Sequence, residues 1–124
     1  MATMTQIPSM MSYSTWQLYF GDIIILKFPY TDGLTFKRRP ALVIADFNDG
    51  DVLVCRITSQ LYDTSFDVEV MDWVDSGLKL SSIIRIHKMA TLEKSLVDLK
   101  LGSLSDFTKR SVVEIFPKLV NFKF

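Results

Sequence analysis

One cysteine and one histidine are the only thiol and imidazole groups among the 124 residues. A structural zinc site draws about three or four such side chains, so Cys55 and His87 cannot build one. A lone cysteine cannot form an internal disulfide either, which suits a reducing cytoplasm. The five glycines lie scattered at 21, 33, 50, 77 and 102, with no cluster to cradle a nucleotide phosphate. No Gly-x-Ser-x-Gly turn surrounds any serine, and a Ser/His/Asp triad would have to recruit His87 without that setting. No apolar run approaches the ~20 residues that cross a bilayer. The opening MATMTQIPSMMSYSTWQLYF lacks the basic and apolar regions of a signal peptide. The chain reads as soluble, with no membrane partner and no cofactor or metal site.

Charge of a single sign is also missing. Fourteen basic and fourteen acidic residues cancel, and the pI is near 6.6, which excludes a polycation that coats nucleic acid indiscriminately. The cancellation is not uniform along the chain. Residues 20–42 carry four basic and two acidic groups, residues 43–75 one and eight, residues 76–124 nine and four, giving +2, −7 and +5. A local basic groove near Lys37-Arg38-Arg39 is therefore allowed.

The length fits one domain, here read as 18–124 behind an N-terminal extension of 1–17. Four Met residues, at 1, 4, 10 and 11, leave the translation start open. From Gly21 onward short apolar stretches alternate with turn signals, the pattern of many short strands. Asp22 to Phe28 ends at Pro29 and the Thr31-Asp32-Gly33 turn. Ala41 to Ala45 and Val52 to Ile57 form a hairpin through Asn48-Asp49-Gly50-Asp51. Phe66 to Val70 alternates strictly, and Ile83 to Ile86 leads into Lys88 to Leu92. Leu96 to Leu101 fits either a strand or a helical turn. Near the C-terminus Ser105 is placed to cap a helix, Asp106 suits its positive end, and Val112, Val113, Phe116, Leu119 and Val120 recur at helical spacing. Pro117 should end or kink it. The expected fold class is mainly β: a small, strongly bent SH3-like barrel of about five to seven strands with a C-terminal α-helix.

Such an inventory permits chemistry that needs few protein groups. RNA carries its own nucleophile, the 2′-hydroxyl beside each phosphodiester. Arginine, with a planar fork of donors and a permanent charge, matches the phosphoryl oxygens, and a hydroxyl or amide can orient the scissile group. Residues before a proline are pushed into extended conformations, so Arg39 should stand at the start of the strand that begins with Pro40. Alternation predicts that only one of Arg38 and Arg39 faces a site there, and that Arg56, Thr58 and Gln60 share a face.

The residues Gly21-Asp22-Ile23-Ile24, Phe28-Pro29-Tyr30-Thr31-Asp32 and Lys37-Arg38-Arg39-Pro40-Ala41-Leu42-Val43-Ile44 together resemble the opening signature of PemK/MazF-like toxins. Cys55-Arg56-Ile57-Thr58-Ser59-Gln60 looks like that family's second motif. A looser third match runs through Gly77-Leu78, Ser82-Ile83-Ile84-Arg85 and on to Leu104. The resemblance covers roughly residues 18 to 120 in one collinear order. It implies the toxin half of a toxin–antitoxin pair, a dimeric, cytoplasmic, sequence-selective endoribonuclease. Such an enzyme cuts single-stranded mRNA without metal and leaves a 2′,3′-cyclic phosphate and a 5′-hydroxyl. Carried over by position, the resemblance makes Arg39 and Thr58 catalytic and places Lys37, Arg56, Ser59, Gln60, Ser82 and Arg85 on the RNA. The partners implied are single-stranded RNA, a cognate antitoxin and a second copy of the chain.

Taken alone, the same residues have plainer readings. Lys37-Arg38-Arg39 reads first as a solvated turn guarding a strand edge, and Thr58 as a strand residue bonding its own backbone. Arg85 can equally pair with one of the eight acids of the middle segment, and His87 is structural or exposed. Trp16, Tyr19 and Tyr30 suit packing before base stacking. A toxin-like barrel that is catalytically inactive, or that acts by binding a protein target, remains the alternative. A peptide adaptor of the SH3 type is weaker, because its aromatic groove is not evident in the turns.

Overall fold

The computed structural model describes residues 16–120; most of the 1–17 extension, with its four early Met residues, lies outside them. The apolar pairs Ile23-Ile24 and Leu42-Val43 break strict alternation because both faces of their strands are covered. One cluster takes Ile23, Leu42, Cys55, Ile57 and Ile84 beneath Val112 and Ile115. The other takes Ile24, Leu26, Ala41, Val43, Val52 and Val54, covered by Leu18 and Val97. Neighbouring residues therefore serve opposite cores, as the period of two requires.

The elements are β1 (Asp22–Pro29), β2 (Phe36–Asp46), β3 (Asp51–Thr58), β4 (Asp67–Glu69), β5 (Ile83–Glu93), β6 (Val97–Ser103) and α1 (Asp106–Val113). They form one six-stranded sheet of order β4-β5-β3-β2-β1-β6 in which every neighbouring pair is antiparallel. Mainly β with a C-terminal helix is thus the fold, within the expected strand number. The sheet does not close into a continuous barrel, since β4 and β6 stand at its two ends. Register shifts bend it where β1 meets β6, β2 meets β3 and β3 meets β5. The largest lies in β5. Cys55 faces Met89 while the next residue, Arg56, faces Arg85, so Ile86, His87 and Lys88 have no register partner on β3.

The turn chemistry acts as the sequence suggests. Asn48 and Gly50 take φ values of 57° and 93° between β2 and β3. Asp32 Oδ1 accepts the N–H groups of Leu34 (2.8 Å) and Thr35 (3.1 Å) between β1 and β2. The Ser105 hydroxyl accepts the Thr108 N–H and caps α1. Pro117 falls in a separate 3-10 turn, Phe116–Leu119. The ambiguous Leu96 to Leu101 segment divides into a 3-10 turn, Lys94–Leu96, and strand β6.

One boundary corrects the sequence reading. β2 begins at Phe36, so the basic run is mid-strand and Arg39 is not at its start. The ladder to β1 explains this, because Phe36, Lys37, Arg38 and Arg39 pair with Pro29, Phe28, Lys27 and Leu26. Backbone pairing to an apolar neighbour extends a strand through side chains that carry no apolar pattern.

The segment between β4 and β5 is held against β6 by backbone contact. A Cβ on Gly77 (φ +90°) would stand 2.5 Å from the Leu101 carbonyl oxygen, and one on Gly102 would stand 2.6 Å from that of Ser76. Asp72 ties the same segment to α1, accepting the Ser105 N–H (3.1 Å), the Thr108 hydroxyl (3.0 Å) and the Ser76 hydroxyl (3.2 Å). Among the described residues no helix is long and apolar enough to cross a membrane. Gly77→Ala should destabilise the fold by about 3 kcal/mol, from backbone strain and a carbonyl that cannot retreat. Urea unfolding should show a lower midpoint at unchanged slope; an unchanged midpoint would contradict this account of the contact.

Candidate active site

β2 pairs with β1 over Phe36–Leu42 but with β3 only from Ala41, which faces Arg56. Pro40, which has no N–H to give, stands just before that second ladder starts. The strands diverge there. Between Arg38–Pro40 and Ile57–Gln60 opens a groove of about 680 Å³, with Gly77–Leu80 and Ser82 on its far wall and Ile25, Leu78, Leu99 and Leu101 supplying apolar surface.

Its electrostatics are one-sided. Arg38, Arg39, Arg56 and Lys79 line the groove, and no Asp or Glu does. Arg38 is partly neutralised, its Nε donating to Asp98 Oδ2 at 2.9 Å. Among the described residues no carboxylate pairs with Arg39; its guanidinium donates to the Arg38 carbonyl at 3.4 Å. Among the described residues no ion pair engages Arg56 or Lys79. Uncompensated guanidinium groups over an apolar floor attract an anion, and the planar fork favours a phosphate. Beside them the Thr58 hydroxyl accepts the Gln60 N–H at 3.1 Å. With a lone pair so engaged, the hydroxyl proton is available to an oxygen in the groove.

The groove brings together Arg39, Arg56, Thr58, Ser59, Gln60 and Ser82. Ser82 is buried and donates to the Leu80 carbonyl at 2.8 Å, so its hydroxyl holds the wall. Lys37 does not line the groove; it shares the strand face of Arg39, two residues along β2. Arg85 is not brought there either. It is buried, with its Nε 2.8 Å from Asp67, which is the pairing with a middle-segment acid that its plainer reading anticipated. Both Arg38 and Arg39 line the groove, from neighbouring positions whose side chains alternate across β2. The two arginines also differ by partner, since only Arg38 is in an ion pair among the described residues.

Cys55, in the second motif, is fully buried, and burial pushes its thiol up to about 12; it is no nucleophile at neutral pH. His87 lies outside the groove, its ring 5.2 Å from that of Phe66. Trp16 donates to the Val97 carbonyl at 3.4 Å and packs on the second core cluster, while Tyr19 and Tyr30 are exposed. Among the described residues no three His, Cys, Asp or Glu side chains gather as a metal site. Lys79 was missed by sequence reasoning, although it directly follows the Gly77-Leu78 pair of the third motif.

Residues 19–119 match the family model described as PemK-like, MazF-like toxin of type II toxin-antitoxin system. The chain belongs to this family. No curated protein matches it. Among solved structures it is similar to an endoribonuclease in complex with its cognate antitoxin from a mycobacterial species, at TM-score 0.66 and 15% identity over 87% of this chain and 99% of that one. A MazE-MazF structure from Deinococcus radiodurans aligns at TM-score 0.66 and 22% identity, over 81% and 92%. The Mycobacterium tuberculosis toxin MazF-mt6 aligns at TM-score 0.64 and 19% identity, over 82% and 99%. At such identities the likeness is one of fold.

The Arg85–Asp67 pair sets an acid limit on this toxin fold. Burial by itself would raise the Asp67 carboxyl. The hydrogen bond from Arg85, followed by those from the Thr64 hydroxyl and N–H, outweighs it and holds the group at about 2 against an ordinary 3.8. The unfolded chain then takes up this proton first as pH falls, so the pair's contribution is complete above about pH 4 and drains away toward pH 2. Thermal melts of Asp67→Asn should lose that part of the acid slope; parallel slopes for variant and parent would disprove it.

Proposed function

We propose that this toxin is a sequence-selective endoribonuclease that cuts single-stranded mRNA by 2′-hydroxyl attack. The observation that carries the reading is the acid-free groove in which Arg39 and Arg56, neither held by a carboxylate among the described residues, stand beside Thr58. Similar folds described as endoribonucleases support it.

In the proposed reaction the 2′-oxygen attacks the adjacent phosphorus as its proton leaves. The P–O5′ bond breaks and the departing 5′-oxygen is protonated. The products are a 2′,3′-cyclic phosphate and a 5′-hydroxyl, and no external nucleophile enters. Negative charge grows on the non-bridging oxygens at the phosphorane stage, where Arg39 provides paired donors and a fixed charge. The Thr58 hydroxyl donates to the same phosphate and holds the scissile bond in line. Arg56, Ser59 and Gln60 extend the contact along the strand, Lys37 lies on the phosphate path beyond Arg39, and Lys79 faces them from the opposite wall. The chemistry uses charge and positioning from the protein and a nucleophile from the substrate, so no metal has to be recruited.

The partners follow from the same groove. A cognate antitoxin would inhibit by laying an acidic segment, disordered when free, across Arg39, and a homodimer is the expected assembly, as is residence in the cytoplasm. The domain is proposed to span 18–124, with 1–17 an extension.

Purified toxin incubated with a long single-stranded RNA in EDTA should yield cuts with 5′-hydroxyl ends. Arg39→Ala should lower cleavage by roughly two to three orders of magnitude with the melting temperature preserved, the loss typical of a donor to a developing oxyanion. RNA that stays intact with the parent protein, in EDTA and with added magnesium alike, would favour a toxin that acts by binding instead.

A further inference from the structure

Arg85 belongs to the third motif, yet it does not line the groove, and its surroundings lead back to the site by another route. Its guanidinium lies in a buried ion pair with Asp67, 2.8 Å from Nε to Oδ1 and 3.5 Å from Nη2 to Oδ2. The side chains are 9% and 2% exposed. On the guanidinium rests the Tyr62 ring, with Cζ 3.5 Å from its centroid. The Tyr62 hydroxyl donates to Gln60 Oε1 at 3.2 Å, and the Gln60 N–H donates to Thr58 Oγ1. Thr64 anchors the far end of the same segment, its hydroxyl and N–H donating to Asp67 Oδ2 at 2.6 and 3.0 Å. A continuous chain of contacts thus runs from the β4–β5 ion pair to the two groove residues Gln60 and Thr58.

The chain has a chemical consequence at Gln60. An amide presents one acceptor and two donors. With Oε1 engaged by the phenol, Gln60 keeps its Nε2 donors for the groove, and these match the carbonyl oxygens of uracil or guanine better than the amino groups of adenine or cytosine. Adenine in particular asks for a donor and an acceptor together, and the phenol already occupies one of the two lone pairs of that acceptor and fixes its direction. A stacked cation–aromatic contact under the phenol gives the orientation rigidity, since a buried guanidinium fixed by a carboxylate does not move with the loop.

We propose that Tyr62, held in place by Arg85, is a positioning residue that sets the Gln60 amide and thereby the base preferred beside the cut. This rests on the RNA-cleaving reading above. Two variants separate its parts. Tyr62→Phe keeps the ring on the guanidinium but frees the amide to rotate; Tyr62→Leu removes the stack as well.

Cut sites of parent and variants are mapped on one long RNA in EDTA, and kcat and KM are measured on a short oligonucleotide containing the parent's preferred site, with thermal melts alongside. The parent should favour a keto-bearing base at one position flanking the cut. Tyr62→Phe should melt like the parent, keep kcat within about threefold, and lose that preference by roughly tenfold, the scale of one hydrogen bond. Tyr62→Leu should lower kcat by roughly tenfold or more with little change in KM, a loss that Phe restores. A Tyr62→Phe site profile identical to the parent's would overturn the proposal while leaving the ribonuclease reading intact. A parent that cuts no RNA would sink both, and that arm is read first.

Discussion

The approach of two backbones, Ser76-Gly77 to Leu101-Gly102, is the constraint on which the rest of the structure depends. No side chain larger than hydrogen fits at either glycine, because the opposing carbonyl oxygens lie where a Cβ would be. This contact brings the β4–β5 segment onto the edge strand β6. Two things follow at once. The segment's next residues, Leu78 to Leu80, become the far wall of the groove, and Asp72, a few residues earlier, reaches the cap of α1. Helix, edge strand and groove are thus referred to one point of contact. Covering β6 also protects a strand edge that would otherwise be open to pairing with another chain.

A neutral chain presents a positive groove because none of its carboxylates lines that opening, and several of them are engaged elsewhere. Asp67 is paired with Arg85 and Asp46 with Lys94 at 2.7 Å, both out of solvent. Asp72 is surrounded by donors from three residues. Among the described residues Asp98 is the one carboxylate in an ion pair with a groove arginine, and that arginine is Arg38. Asp46, Asp67 and Asp72 of the middle segment therefore act as structural acceptors, and Arg39, Arg56 and Lys79 in the groove are in no ion pair among the described residues. Ion pairs of this buried kind contribute little net stability by themselves; here they also sort charge in space.

Much of the fold was legible because local chemistry and tertiary demand coincide. The Asn48-Asp49-Gly50-Asp51 turn needs left-handed residues and has them at Asn48 and Gly50. Ser105 caps α1, and Pro117 falls where the helix has already stopped. Collinear motifs placed Arg39, Arg56, Thr58, Ser59, Gln60 and Ser82 at one opening. Other features depended on partners that no local pattern encodes. β2 extends back to Phe36 only because β1 is there to pair with it. The Ile86–Lys88 bulge is invisible in a run that looks like continuous strand. Arg85 resembled its neighbours in the motif, and the acid that claims it is eighteen positions away in sequence. Tyr62 carried no signal, since a tyrosine in a polar loop gains meaning only from the guanidinium beneath it.

The pairing of β1 with β6 bears on when the molecule acquires its groove during synthesis. Ile25, near the start of the sheet, and Leu99 and Leu101, near its end, supply the apolar floor together. Arg39 and Thr58 leave the ribosome long before their floor exists. Contacts of such sequence separation form late, after the loop between them has been closed. A nascent chain therefore carries Arg39 and Thr58 without the apolar surface that borders them, and the groove is not whole until β6 has been made and has paired with β1.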